Sequence, residues 1–295
     1  MKLSTTLNPF LLSHDLGMTP YYEELENYQQ LGFPILDCIF CNADWARSPL
    51  LTDRWQEWGE KLAEKSHELN IAYEQSHMPY YNFTSSAGGI NKNTEILVER
   101  SIAVASMLGA KWIVSHPATA FTKFDMVRAS KEENLAYFTH CMELGQKYGI
   151  GIAIENMADF PGQGYRRSYC ATVEELCDLV DTLGMEAGIC WDFGHANLVY
   201  QDQAPCLTYL GNRLKATHVH DNHGQRDDHL PLFFGNINWP PLLQKLIEIG
   251  YSGVFSFEIK RIDMNLPKEI RNAQWKYAKI TGEYLLSLIE KNNYR

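Results

Sequence analysis

The sequence predicts one (β/α)8 barrel, an α/β fold running as a single domain over residues 1–295, and three observations predict it. Short β-rich runs alternate with longer stretches of helical periodicity eight times over, which means a parallel sheet with helical cover. Several helical stretches end in a glycine suited to a left-handed cap, at Leu31-Gly32, Leu108-Gly109, Tyr148-Gly149 and Ile249-Gly250. No Gly-rich dinucleotide turn follows the first strand, as a doubly wound open sheet would need, and no linker, low-complexity tract or charge block marks a second domain.

The predicted strands, in order, are Leu3–Leu7, Pro34–Ile39, Ile71–His77, Trp112–His116, Ile150–Glu155, Ala187–Asp192, Ala216–Val219 and Val254–Glu258. Between them helices are predicted over Tyr21–Leu31, Trp55–Leu69, Glu95–Leu108, Lys131–Tyr148, Val173–Leu183, Leu207–Arg213 and Pro241–Ile249, with a closing helix over Lys268–Leu288.

Composition bounds the function. Apolar residues make up 45% of the chain, enough for a large core without disulfides. Lys and Arg total 26 against 36 Asp and Glu, a net charge of −10, which disfavours general nucleic-acid binding. The seven scattered cysteines suit a reducing cytoplasm, and only Cys38 and Cys41 lie close in sequence. The N-terminal run MKLSTTLNPFLLSHD lacks a signal-peptide pattern and no stretch of about 18 apolar residues occurs, so a cytoplasmic, non-membrane protein is expected. A homo-oligomer is compatible with all of this. Ten histidines in an acidic chain call for a chemical explanation.

The barrel supplies one, because this fold collects its active site at the C-terminal ends of the strands. His77, His116, Glu155, Asp192, His218 and Glu258 end, or nearly end, six successive predicted strands. Alternation puts Gly151 and Ala153 inward beneath Glu155, Gly188 and Cys190 beneath Asp192, and Val254 and Ser256 beneath Glu258. Carboxylates converging at about 3 to 4 Å either take up protons or bind a cation. A site of imidazole and carboxylate without thiolate suits one divalent ion: Mn, Co, Mg or Zn. Each residue alone has a plainer reading, the acids as helix N-caps or salt-bridge partners and the histidines as structural; six in register outweigh it.

The runs IAIENM, CWDFGHANL, THVHDN, DDHLPLFFGNINW and FSFEIK are similar to those of the xylose isomerase-like TIM-barrel superfamily, and the similarity covers nearly the whole chain. That superfamily contains sugar isomerases and ketose epimerases, dehydratases and the endonuclease IV family. The epimerase branch implies one metal held by Glu155, Asp192, His218 and Glu258, with the two glutamates doubling as an acid/base pair. The endonuclease branch implies three zinc ions, with His77, His116, His195, Asp227 and His229 added to those four. Two departures limit the branches. Pro161 occupies the position, six residues beyond Glu155, where tagatose 3-epimerase-like enzymes carry a second glutamate; and near the mouth only Arg166, Arg167 and Arg226 could meet a phosphate backbone.

The expected activity is isomerisation or epimerisation of a sugar or sugar phosphate through a metal-stabilised enediolate, with Glu155 and Glu258 transferring the proton. Dehydration of a keto-sugar or related acid and trinuclear-zinc phosphodiester cleavage are the alternatives. His195, Arg226, Arg167 and Tyr80 are candidate substrate contacts. His220 shares a strand face with His218 about 7 Å away, so His220 and Asp221 are expected at the rim, either supporting the ligands from behind or contacting substrate. Trp45, Phe160, Phe233 and Phe234 could wall a sugar face; Trp191 should point outward, and His14, His67, His140 and His223 read as surface or loop residues.

Overall fold

The computed structural model describes residues 1–9, 12–13, 17–18, 21–44, 48–122, 124–159, 167–184, 187–259 and 268–292. Among these, eight parallel strands close into a barrel. They are β1 (Lys2–Leu7), β2 (Ile35–Ile39), β3 (Ala72–His77), β4 (Trp112–Ser115), β5 (Gly151–Glu155), β6 (Ala187–Asp192), β7 (Leu214–Val219) and β8 (Val254–Phe257). Each pairs with its sequence neighbours and β8 closes on β1, as the strict alternation requires.

The helices are α1 (Tyr21–Leu31), α2 (Trp55–Glu68), α3 (Lys92–Met107), α4 (Met126–Tyr148), α5 (Val173–Leu183), α6 (Phe193–Asn197), α7 (Ala204–Leu210), α8 (Trp239–Glu248) and α9 (Lys268–Asn292). Four, α3, α4, α7 and α8, begin earlier than periodicity suggests, and for α3 and α4 a side-chain cap lies upstream: Asn91 accepts from the Thr94 amide and Asp125 from that of Arg128. The expected helix over Leu207–Arg213 is instead α7 followed by a 3-10 turn at Gly211–Arg213. Helix α6, and a two-residue hairpin pairing Leu12–Ser13 with Gly17–Met18, are not legible as periodic segments. The glycines at positions 32, 109, 149 and 250 take positive φ, as their capping role demands. No described helix is long and apolar enough to cross a membrane.

Large side chains fill the layer between sheet and helices, among them Trp191, Phe193, Trp239, Phe255 and Phe257. Small ones fill the barrel itself: Val114, Ala153, Cys190 and Ala216 form an inner layer packed on Trp112. Burial pushes the Cys190 thiol up, so it stays neutral there. The Trp112 indole crosses the barrel floor over Gly151 and Gly188, where a β-carbon would lie 2.4 and 2.9 Å from its ring atoms.

Two register shifts decide which residues face inward. Between β2 and β3, Leu36 pairs with Tyr73 but Asp37 pairs with Gln75, leaving Glu74 as an extra residue. Between β6 and β7, Ile189 pairs with Leu214 but Cys190 with Ala216, leaving Lys215 extra. Below each bulge Tyr73 and Leu214 pack outward in the sheet–helix core; above it Gln75 and Ala216 turn into the barrel. The second bulge thereby sets the inward parity of His218 and His220.

Gly151→Ala should force the Trp112 indole off its seat and lower stability by about 1–3 kcal/mol. A urea unfolding midpoint unchanged from wild type would show that the floor has slack.

Candidate metal centre

The mouth gathers the strand-end residues into one cup. One oxygen or nitrogen from each of Glu155, Asp192, His218 and Glu258 lies within 4.8 Å of the others. Glu155, Asp192 and His218 are fully buried, whereas the Glu258 side chain is 19% exposed and forms the open edge. Glu155 divides its carboxylate between two neighbourhoods. Its Oε2 faces Nε2 of His77 at 3.1 Å and of His116 at 3.0 Å, and its Oε1 faces Nδ1 of His218 at 3.0 Å.

A third set lies beyond Asp192, where Asp227 Oδ2 is 3.0 Å from His229 Nε2 and 3.5 Å from His195 Nε2. Three of these imidazoles are oriented by backbone carbonyls. Nδ1 donates to Met78 O from His77 (2.7 Å), to Asn156 O from His195 (2.9 Å) and to Glu258 O from His229 (2.7 Å). In each neutral ring, Nε2 is then a lone pair aimed at a carboxylate oxygen. Two lone pairs 3 to 3.5 Å apart require a proton or a cation between them, and this arrangement is how proteins present histidine to metals. Asp227 Oδ1 is buried without a hydrogen-bond donor. The donor set, oxygen and imidazole nitrogen, fits a divalent ion.

Local sequence fixes these positions. Asn156, directly after Glu155, clamps the Asp192 backbone, accepting from its amide at 2.7 Å and donating to its carbonyl at 3.0 Å. Asp192 is also the N-cap of α6, accepting from the His195 amide at 2.7 Å, so one short turn carries His195 into the cup. Gly194 in that turn has no alternative, since a β-carbon would fall 1.8 Å from Cε1 of His220. His229 sits in left-handed backbone with φ 48°, a strained setting for a non-glycine residue.

Without a cation the cluster balances its charge with protons. Burial works against the charged forms throughout, yet contacts between opposite groups prevail. His77, with Cys41 and Glu155 beside it, His195 with Asp192 and Asp227, and His218 with Cys190 and Glu155 are all raised well above the usual imidazole range. His229 is raised to about 9, chiefly by Asp227 once burial is overcome. Glu155 is held well below the carboxylate range by His218 and His116. Asp192 is lowered by His195 and His220, and Asp227 by His195 and His229. His116 goes the other way, lowered because its burial outweighs Glu155.

Other expected contacts divide. Tyr80 stands 59% exposed with its ring edge-on to His116 at 4.8 Å, at the mouth. The Arg167 guanidinium is engaged by Glu175, and Arg226, 84% exposed, pairs with Asp228 at 3.5 Å. His220 lies deeper than its expected rim position but in the supporting one of its two expected roles: it is fully buried, donates to Asp192 at 3.1 Å and stacks on His229 at 3.9 Å. Asp221 is a loop anchor, accepting from the amides of Asn222, Phe233 and Ile237 and from the Trp239 indole. Trp191 points outward as expected, donating to Gln203, and His67, His140 and His223 are exposed. His14, Trp45, Phe160, Pro161 and Arg166 lie outside the described residues. Two residues passed over in the sequence, Asn156 and Asp37, are fully buried at the centre. Asp37 had one signal, a carboxylate in the middle of an otherwise apolar strand.

A barrel with a cup of histidines and carboxylates at its C-terminal mouth defines the class of the protein. Residues 25–278 match the family model described as xylose isomerase-like TIM barrel, and the chain belongs to that family. It is 33% identical over 226 residues to an uncharacterised protein of Methanocaldococcus jannaschii, covering 73% of this chain and 74% of that one. Among solved structures it is similar to a D-tagatose 3-epimerase-like protein, with 26% identity, a TM-score of 0.75 and 99% of both chains covered. It also shares its fold with an IolI protein solved with a bound zinc atom, at 20% identity and TM-score 0.73, covering 97% of this chain and 98% of that one.

Because ligation needs neutral imidazoles and these are raised, ion uptake must release protons. Zn2+ affinity should therefore rise with pH through and beyond the usual imidazole range, because His218, the imidazole of the four-ligand cup, is held protonated there until the ion displaces its proton. Calorimetry at pH 7 in buffers of different ionisation enthalpy should show net proton release; none would refute the assignment. Gly194→Ala should displace His220 from Asp192 and weaken ion affinity about 10-fold or more while the circular dichroism stays native. Undiminished affinity would remove His220 from the support of the site.

Proposed function

We propose that the protein is a divalent-metal-dependent isomerase or epimerase of a sugar or sugar phosphate. The observation that carries this reading is the convergence of Glu155, Asp192, His218 and Glu258, two of them glutamates, at the mouth of a barrel similar to a D-tagatose 3-epimerase-like protein. Those four residues would hold the ion, of the Mn, Co, Mg or Zn class. Bound there, the ion supplies positive charge to an oxyanion developing on a substrate carbonyl.

The chain's own residues do the rest. Glu258, at the open edge, is placed to take a carbon-bound proton and exchange it with solvent. Glu155, fully buried, is the second proton-transfer group. His195, close to Asp227 and 10% exposed, can donate from Nε2 to a substrate oxygen when its ring carries both protons, the form that Asp192 and Asp227 favour, and the exposed ring of Tyr80 can stack on a sugar face. Return of the proton to the neighbouring carbon gives isomerisation, and to the opposite face epimerisation; loss of a β-hydroxyl instead would make the same site a dehydratase.

A second reading, phosphodiester cleavage by a three-ion site, has a specific observation in its favour. The two oxygens of Glu155 belong to different donor groups, His77 with His116 on one side and the cup on the other, and His195, Asp227 and His229 make a third group. Against it stand the net charge of −10 and the engagement of Arg167 and Arg226 by acidic neighbours.

Elemental analysis separates the two: one ion per chain with no DNA nicking supports the isomerase, and three zinc ions with cleavage at abasic sites sinks it. Glu155→Gln and Glu258→Gln should each lower kcat by about 100-fold or more, and a variant keeping more than about a tenth of wild-type kcat takes its residue out of proton transfer.

A further inference from the structure

We propose that Asp37 is a positioning residue of this centre, accepting the Nε2 proton of His218 so that Nδ1 of the ring is kept as the ligand nitrogen. The inference rests on the reading of the cup as a divalent-ion site. Asp37 lies on β2, fully buried inside the barrel, and the proposed reaction makes no use of it. Its Oδ2 accepts from His218 Nε2 at 3.3 Å, from Gln75 Nε2 at 2.7 Å and from Ser256 Oγ at 3.3 Å, while Oδ1 has no partner. Gln75 is itself held to β7, donating to Thr217 O at 3.1 Å and accepting from the Thr217 amide at 3.3 Å. The carboxylate is thus set by four strands at once.

His218 lies between two acidic surroundings. On one edge Nε2 meets Asp37; on the other Nδ1 lies 3.0 Å from Glu155 and 3.5 Å from Glu258. A neutral imidazole has one N–H, and whichever edge receives it leaves the other nitrogen to ligate. The Nδ1 edge opens on three carboxylates whose atoms converge for one cation, and the Nε2 edge on a single carboxylate already receiving two neutral donors. Proton on the Asp37 side and ion on the Glu155 side is the arrangement that satisfies both. A carboxylate behind a ligating histidine fixes the tautomer and raises the basicity of the ligating nitrogen.

The test compares Zn2+ affinity, by chelator competition, in wild type, Asp37→Asn and Ser256→Ala. Asp37→Asn keeps the shape and removes the charge, and should bind Zn2+ about 10- to 100-fold more weakly. Ser256→Ala, which removes only a neutral donor to the same oxygen, should stay within about threefold of wild type. Equal affinity in Asp37→Asn and wild type, with a Tm lowered alike with and without zinc, would reduce Asp37 to packing and overturn the proposal. If Asp37→Asn does not fold, 15N spectra of zinc-loaded wild type decide: the proton of His218 belongs on Nε2, and finding it on Nδ1 overturns the assignment. Wild type that takes up no divalent ion would instead bring down the reading of the cup, and the role of Asp37 with it.

Discussion

The carboxylate of Glu155 is the constraint on which the barrel mouth depends. It is removed from water, where an uncompensated charge costs several kcal/mol, and both of its oxygens are met by imidazole nitrogens at 3.0 to 3.1 Å. The compensation comes from three other strand ends, β3, β4 and β7, so no pair of neighbouring strands could assemble the site alone. Four of the imidazoles in this cluster also have their second nitrogen paired. His77, His195 and His229 spend it on backbone carbonyls, and His218 spends it on Asp37. Those four rings cannot rotate away from the acids without leaving a buried donor unpaired, a penalty of about 1–3 kcal/mol each, whereas Nδ1 of His116 is buried without a partner.

The floor beneath serves the same end. Small side chains in the inner layer leave the volume in which long ones can converge, and Trp112 closes the bottom over two glycines. The bulges at Glu74 and Lys215 reconcile two demands that a regular strand could not meet together. Tyr73 and Leu214 pack outward under the helices, while Gln75, His77, His218 and His220, at the same parity in sequence, face the axis or are drawn into the cup.

Much of this was legible beforehand. Strand-end chemistry on six successive strands located the mouth, and simple alternation gave the correct faces for Glu155, Asp192 and Trp191. What escaped was of two kinds. Capping residues extended α3 and α4 beyond their apolar pattern, because a cap is a polar signal that hydrophobic periodicity ignores. Asp37, Asn156 and the depth of His220 escaped because their partners are remote: Asp37 bonds His218 across 181 positions and Ser256 across 219.

By itself the sequence determined the order of the strands, the end of the barrel where reactive groups collect and the types of ligand atom on offer, since these follow from local periodicity and composition. Only the tertiary structure decided which oxygen of Glu155 faces which histidine, that His220 is buried against Asp192, and that a carboxylate on β2 stands behind His218. Local pattern has a period and a direction but no knowledge of closure. When eight strands close into a ring with two bulges, residues far apart in the chain become neighbours at hydrogen-bond distance, and their pairing is set by the ring's register.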